Sequence, residues 1–216
     1  TPPAWDEAIA AATRALGTPE LDRMANREWG AGWTDFDPLT LLAIAMFDNG
    51  ARDLSRVLLD AVLRVRAHER DLPYGRVLAQ RARVAYLGGD QEVAEDIYRQ
   101  VDALGRRLGS VELRARAANG AVGLAQVRGN HPELLANAQR GLQLAEAAAI
   151  PRLRWNARYS MMMSTALFHR YDEALKHGWE MFSLVTGDPR GEALALHSLG
   201  QLLYEMGDHD AARAAF

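Results

Sequence analysis

The residues best equipped for chemistry in this sequence are its histidines and carboxylates, and their spacing limits what they can do together. Glu205 and His209 stand one helical turn apart, and His68 precedes Glu69. Two ligands on one turn can begin a metal site, but a third and fourth are not legible, and no H-E-x-x-H occurs. His209 therefore reads as a packing residue beside a turn. Carboxylates cluster at Glu95 with Asp96, Asp172 with Glu173, and Asp208 with Asp210. Each pair falls in or near the first turn of a helical stretch, where negative charge complements the helix dipole. Acid–base work by such a pair needs two environments that push the pKa values apart, and nothing in the flanking residues indicates burial. Ser160, Ser164 and Ser198 lack the paired glycines of a nucleophile elbow. Gly105 to Gly109 lacks the Lys-Ser/Thr ending of a phosphate loop. No cofactor or metal is expected, and the chain does not read as an enzyme.

Basic charge deserves separate treatment, because it is carried almost wholly by arginine, with Lys176 the sole lysine. "RVRAHER" and "RQVDALGRRLG" gather Arg64, Arg66, Arg70, Arg99, Arg106 and Arg107. A nucleic-acid binder wants a basic domain and a recognisable module, whereas the net charge here is −3. These arginines read as the solvated face of helices, with an acidic partner as the other reading, and no nucleic-acid or membrane partner is expected. No apolar run is long enough to cross a bilayer, and there is no cysteine, which removes disulfides and thiolate metal sites. The first residue is Thr and no signal-like segment follows it. The expectation is a cytoplasmic chain, either relieved of a leader or excised from a longer protein.

Ala, Leu, Arg, Glu and Gln dominate, and period-2 alternation is absent, so the class is all-α. Leu54, Val57, Leu58, Ala61, Val62 and Val65 show the three- and four-residue spacing of a helix with one buried face. Gly50-Ala51, Gly89-Asp90, Gly129-Asn130, His169-Arg170 and Gly207-Asp208 each close one helical pattern and open another, at spacings of 39, 40, 40 and 38 residues. A fixed period of this size marks stacked helical hairpins. Glycine closes the first helix by taking positive φ, and Asp or Asn caps the next. Ser55, Ala94, Leu134, Ala174 and Ala212 follow each step at one fixed offset and should pack on the partner helix. Leu59, Tyr98, Ala138, Gly178 and Phe216 come one turn later, and Ala43, Ala82, Val122, Met162 and Gly200 set the helix approach upstream.

This pattern resembles the tetratricopeptide repeat family. "LHSLGQLLYEMGDHDAARAAF" matches best, with Leu196, Leu199, Gly200, Leu203, Ala212 and Phe216 at the signature places. "AQRARVAYLGGDQEVAEDIYRQV" follows with Ala82, Ala85, Ala94, Tyr98 and Val101. The resemblance covers about residues 36–216 and implies a right-handed α-solenoid of antiparallel hairpins, divided near 36–74, 75–114, 115–154, 155–192 and an incomplete 193–216. The family period is about 34 residues, so second helices longer by about a turn, with longer links, are expected. Such lengthened repeats are similar to those of bacterial signalling and regulatory proteins. Residues 1–35 read as a divergent hairpin and linker, with Trp5, Trp29 and Trp33 covering one end of the array. The closing "YEMGDHDAARAAF" reads as the start of a second helix, which suggests a chain cut from a longer array.

The resemblance also implies a function: first helices line a concave groove that holds a protein or peptide segment. Carried over position by position, the inward-facing residues are Thr40, Ile44 and Phe47; Arg76, Ala79, Arg83 and Tyr86; Arg116, Asn119, Gly123 and Gln126; Asn156, Tyr159, Met163 and Ala166; and Leu194, His197, Gln201 and Tyr204. Arg76, Arg83, Tyr86, Asn119, Gln126, Asn156, Tyr159, Met163, His197, Gln201 and Tyr204 are the candidate ligand-binding set. Asn and Gln supply a donor and an acceptor to a peptide amide, and the tyrosines offer flat amphipathic contact. Only Arg83 and Asn119 approximate the family's clamp for C-terminal carboxylates, which disfavours a chaperone-tail receptor. In "RYSMMMSTALF", Met161 and Met162 should pack between hairpins, with Met163 on the inner face. The expected function is a protein- or peptide-binding module of a larger bacterial regulatory or scaffolding protein. The alternatives are a domain that senses a small effector and a module that self-associates through its last hairpin.

Overall fold

A computed structural model describes residues 38–48 and 50–216, and the expected hairpin at 1–35 lies outside them. Among the described residues there are ten helices and no strand. They are α1 (Pro38–Asp48), α2 (Arg52–Val65), α3 (Leu72–Gly88), α4 (Gln91–Leu108) and α5 (Val111–Val127). α6 (His131–Ala148), α7 (Pro151–Ala166), α8 (Tyr171–Ser183), α9 (Pro189–Glu205) and α10 (His209–Ala215) complete the set. Consecutive helices pair as hairpins, and each first helix also packs on the next, α1 on α3, α3 on α5, α5 on α7 and α7 on α9. The result is an all-α solenoid whose first helices form one continuous layer.

One hydrogen-bonding device makes all five hairpin turns. The backbone N–H of Ala51, Asp90, Asn130, Arg170 and Asp208 donates to the carbonyl five residues back, on Met46, Ala85, Ala125, Thr165 and Leu203. This is the closure in which a left-handed residue ends the helix and its successor reaches back to an orphan carbonyl. Gly89 supplies that residue at φ +92°, and His169 does the same at +57° without the glycine freedom. The His-Arg step is therefore a true member of the series, and the His169 ring lies beside the Tyr171 hydroxyl at 2.9 Å. Capping is less uniform than the sequence suggests. Asn130 and Asp208 accept from Glu133 and Ala211 N–H groups, while the Asp90 side chain caps nothing.

The excess over the usual repeat length is distributed in two ways. α4 and α6 run to 18 residues and are followed by two-residue links. α2 and α8 stop at 14 and 13 residues and are followed by links 66–71 and 184–188. Asp71, Ser110 and Asp188 then cap the next first helix by accepting from Tyr74, Leu113 and Arg190 N–H groups.

The residues expected at the hairpin contacts are in the core. Ser55, Ala94, Leu134, Ala174 and Ala212 are at most 2% exposed, and Ala43, Ala82, Val122, Met162 and Gly200 are buried above them. Tyr98 crosses from α4 to α5 and lays its ring on Gly120, where an added Cβ would stand 2.2 Å from the ring. Gly120→Ala should destabilise the protein by about 1–3 kcal/mol, because a buried ring must move, even though alanine is favoured in helices by about 1 kcal/mol. Urea unfolding monitored by circular dichroism measures this, and an unchanged or raised midpoint would refute the packing assignment.

Candidate functional site

The inner layer places selected residues of α3, α5 and α7 around one cleft. Arg83 and Tyr86 lie three apart on α3; Arg116, Asn119, Gly123 and Gln126 follow three- and four-residue steps on α5; Arg152, Asn156, Tyr159 and Met163 do so on α7. That spacing keeps each set on one helix face. Together they enclose a cavity of about 410 Å³. Gly123 makes the cleft possible on its α5 side: the Tyr86 ring lies across it, and an added Cβ would meet Tyr86 Cζ at 2.8 Å.

Seven of the eleven candidate residues therefore share this cleft: Arg83, Tyr86, Asn119, Gln126, Asn156, Tyr159 and Met163. The methionine run divides as expected, with Met161 and Met162 buried and Met163 half-buried in the cleft wall. The other four candidates sit elsewhere. Arg76 is committed to Glu112 by two hydrogen bonds of 2.9 Å. On α9, His197 and Gln201 meet each other at 3.1 Å, the His197 ring packs on Phe216 with centroids 5.4 Å apart, and Tyr204 packs on His209 at 5.0 Å. The last contact gives His209 the packing role its position implied. Among the described residues no cluster of three or more His, Asp or Glu is arranged to hold a metal, and no helix is long and apolar enough to cross a membrane.

Trp155 and Arg152 are among the cleft residues that the sequence reading did not single out. Trp155 stacks on Tyr159 with centroids 5.9 Å apart and planes 4° from parallel. Arg152 holds its guanidinium 5.2 Å from the Trp155 ring centroid. Arg152 was within reach of the register argument, since it stands one turn before Asn156 on the same face; Trp155 lies between rows and gave no such signal. Asn119 also behaves differently from a simple groove donor. Its amide turns against α6, where an added Cβ on Gly141 would stand 3.0 Å from Oδ1. Neither amide atom finds a protein hydrogen-bond partner. Burial raises the pKa of the Tyr159 phenol, with a smaller contribution from Tyr86.

At one end of the cleft stands a buried Arg76–Glu112–Arg116 group. Arg116 donates from Nε to Glu112 Oε1 at 3.0 Å, so one carboxylate serves two guanidinium groups. Burial opposes ionisation of Glu112, but the Arg76 hydrogen bond and the charges of Arg116 and Arg76 outweigh it and hold the carboxyl below its usual 4.5.

The architecture has known parallels at low identity. BtubC (BKLC) from P. vanneervenii superposes with a TM-score of 0.66 and 15% identity, over 97% of this chain and 87% of that one. A Podosopora anserina kinesin light chain with nearly identical TPR-like repeats gives 0.56 and 14%, over 82% and 89%. PilF of Pseudomonas Aeruginosa gives 0.59 and 16%, over 84% and 73%. The fold is that of a tetratricopeptide-like repeat array. No protein-family model matches the sequence, and no curated protein matches it.

Within this repeat array the Glu112 group makes a pH-dependent contribution. A carboxyl whose folded pKa is depressed stabilises the fold above its unfolded value and loses that contribution as pH falls through the folded one. Glu112→Gln removes the buried carboxylate that Arg76 and Arg116 both engage, which costs about 3 kcal/mol. Melting temperatures of the two proteins should differ most near neutral pH, and the gap should narrow below about pH 4.5. A gap independent of pH would refute the ionised triad.

Proposed function

We propose that this tetratricopeptide-like array is a protein-interaction module that binds an extended peptide segment of a partner in the α3–α5–α7 cleft. The observation that carries the reading is the shared cavity, to which three successive first helices each contribute amide and arginine residues, with aromatic residues from α3 and α7. Such a surface offers many modest contacts, with specificity set by the placement of Asn156, Gln126, Arg83 and the tyrosines. The bacterial regulatory or scaffolding setting expected from the sequence belongs to this proposal, as does the role of the α9 candidates His197, Gln201 and Tyr204 as an extension of the same path. Self-association through the last hairpin is a weaker reading, for which the exposed Phe216 ring is the available surface.

Selection of peptides from a random display library tests the reading directly. Convergent peptides selected on the native protein should bind the Arg83→Ala/Asn156→Ala double variant about tenfold or more weakly, with helicity unchanged by circular dichroism. Equal affinity for both proteins would place the peptide site elsewhere.

A further inference from the structure

We propose that the α3–α5–α7 cleft recognises an organic anion attached to a flat ring, with the anion held at Arg83 and the ring laid on the Trp155–Tyr159 stack. The inference rests on the cleft being the binding site and names the chemistry that site selects. Its first support is charge. The described residues lining the cavity include three arginines and neither Asp nor Glu, in a chain whose net charge is −3. The positive character is therefore local to the cleft. Arg116 is engaged by Glu112, which Arg76 also binds, so the anion is left to Arg83.

Arg83 is the decisive residue. Among the described residues no carboxylate pairs with it, and its close partner is the Phe47 ring, whose centroid lies 5.5 Å away. A half-buried guanidinium resting on a ring keeps its fork of N–H donors for an oxyanion, and the partly desolvated wall strengthens such a pair relative to water. The second support is shape. The Trp155 and Tyr159 rings stack in parallel, so the outer face of the stack is a flat aromatic surface, and a cavity of about 410 Å³ falls in the size range of small-ligand sites. A bicyclic aromatic acid fits that volume. The same pair of groups can be presented by a free small molecule or by an acidic and an aromatic side chain of a peptide.

Titration with three related probes separates charge from shape: indole-3-acetate, neutral indole-3-acetamide and cationic tryptamine. The readout is the ¹³C-methyl resonance of Met163, which lines the cleft, with the buried Met181 as an internal control. The acid should shift Met163 saturably, the amide should bind about tenfold more weakly or worse, and tryptamine should not bind. Arg83→Gln should abolish the preference for the acid, while Arg83→Lys, which keeps the charge, should retain part of it. A blocked octapeptide carrying Trp next to Asp identifies the source: tighter binding than the free acid assigns the site to peptides, and equal or weaker binding assigns it to small acids. Equal affinity of acid and amide at Met163, or an unaltered preference in Arg83→Gln, overturns the anion assignment and leaves the cleft reading standing. Binding that leaves Met163 unmoved overturns the cleft reading itself. Absence of saturable binding of both acid and octapeptide at millimolar concentration overturns the proposal.

Discussion

The array depends on how closely one first helix can approach its neighbours. Helix backbones come together only where side chains are small, and the buried faces of α3, α5 and α7 are built accordingly from Ala82, Ala85, Ala115, Ala118 and Ala157, each at most 3% exposed. Glycine takes the approach further where a large group must cross. Leu113 of α5 fills the space over Gly75 of α3, Tyr98 of α4 lies on Gly120, and Tyr86 of α3 lies on Gly123. Each contact couples a missing Cβ on one helix to a bulky side chain on another, so volume is conserved across the interface and the interior stays close-packed. The cleft is a by-product of the same rule. With Tyr98 drawn beneath α5 and Tyr86 drawn across it, the space between α3 and α7 is bounded by ring faces instead of being filled by core side chains.

The outer layer is held by different means. α4 and α6 are joined by Arg140 and Asp102 at 2.7 Å, and Arg128 pairs with Glu95 beneath them. Arg158 of α7 reaches Glu146 of α6 at 2.7 Å and Glu180 of α8 at 2.5 Å, with His177 beside it. Burial, then the Arg158 charge, hold the His177 pKa below its ordinary value, so a neutral imidazole leaves Glu180 to Arg158, while Glu146 is shared by Arg158 and Arg154. Partly exposed ion pairs of this kind contribute about 0–1 kcal/mol each and weaken with salt. They can therefore tune the spacing of second helices but cannot set it; the packed first helices do that. The Arg76–Glu112–Arg116 group is the exception, since its members are withdrawn from water and its carboxylate stays ionised only because both arginines face it.

The repeat was legible because its mark is a backbone requirement, not a side-chain preference. A helix that ends on a left-handed residue needs glycine or must tolerate strain, so the Gly steps repeat in the sequence, and even His169 could be placed by spacing alone. Contacts between repeats were harder to read. Arg76 and Glu112 are 36 residues apart, and nothing in either local sequence distinguishes an arginine that meets a carboxylate from one that faces solvent. The same limitation applies to α9, where inward register put His197 and Gln201 in the candidate set while the structure pairs them with each other. Trp155 was invisible for a geometric reason: it stands beside the inward row, and only its stacking on Tyr159 turns its ring into the cleft wall.

Unmet buried polar groups occur at several points of the array, Thr40, Ser55 and Arg114 among them, and the cleft carries its share. The Asn119 amide and the Trp155 indole N–H are both buried without a protein partner, and an unmet buried polar group costs about 1–3 kcal/mol. Among the described residues Arg83 stands there without a carboxylate, its guanidinium resting on the Phe47 ring. Small-residue spacing and the repeated left-handed turns agree with the fold along the array, as they do in a sequence that specifies one structure. A cleft that leaves polar atoms unmet beside an open space is one where contacts with a second molecule have something to gain. These features, together with the shared cavity, are the physical basis on which binding is proposed for α3, α5 and α7.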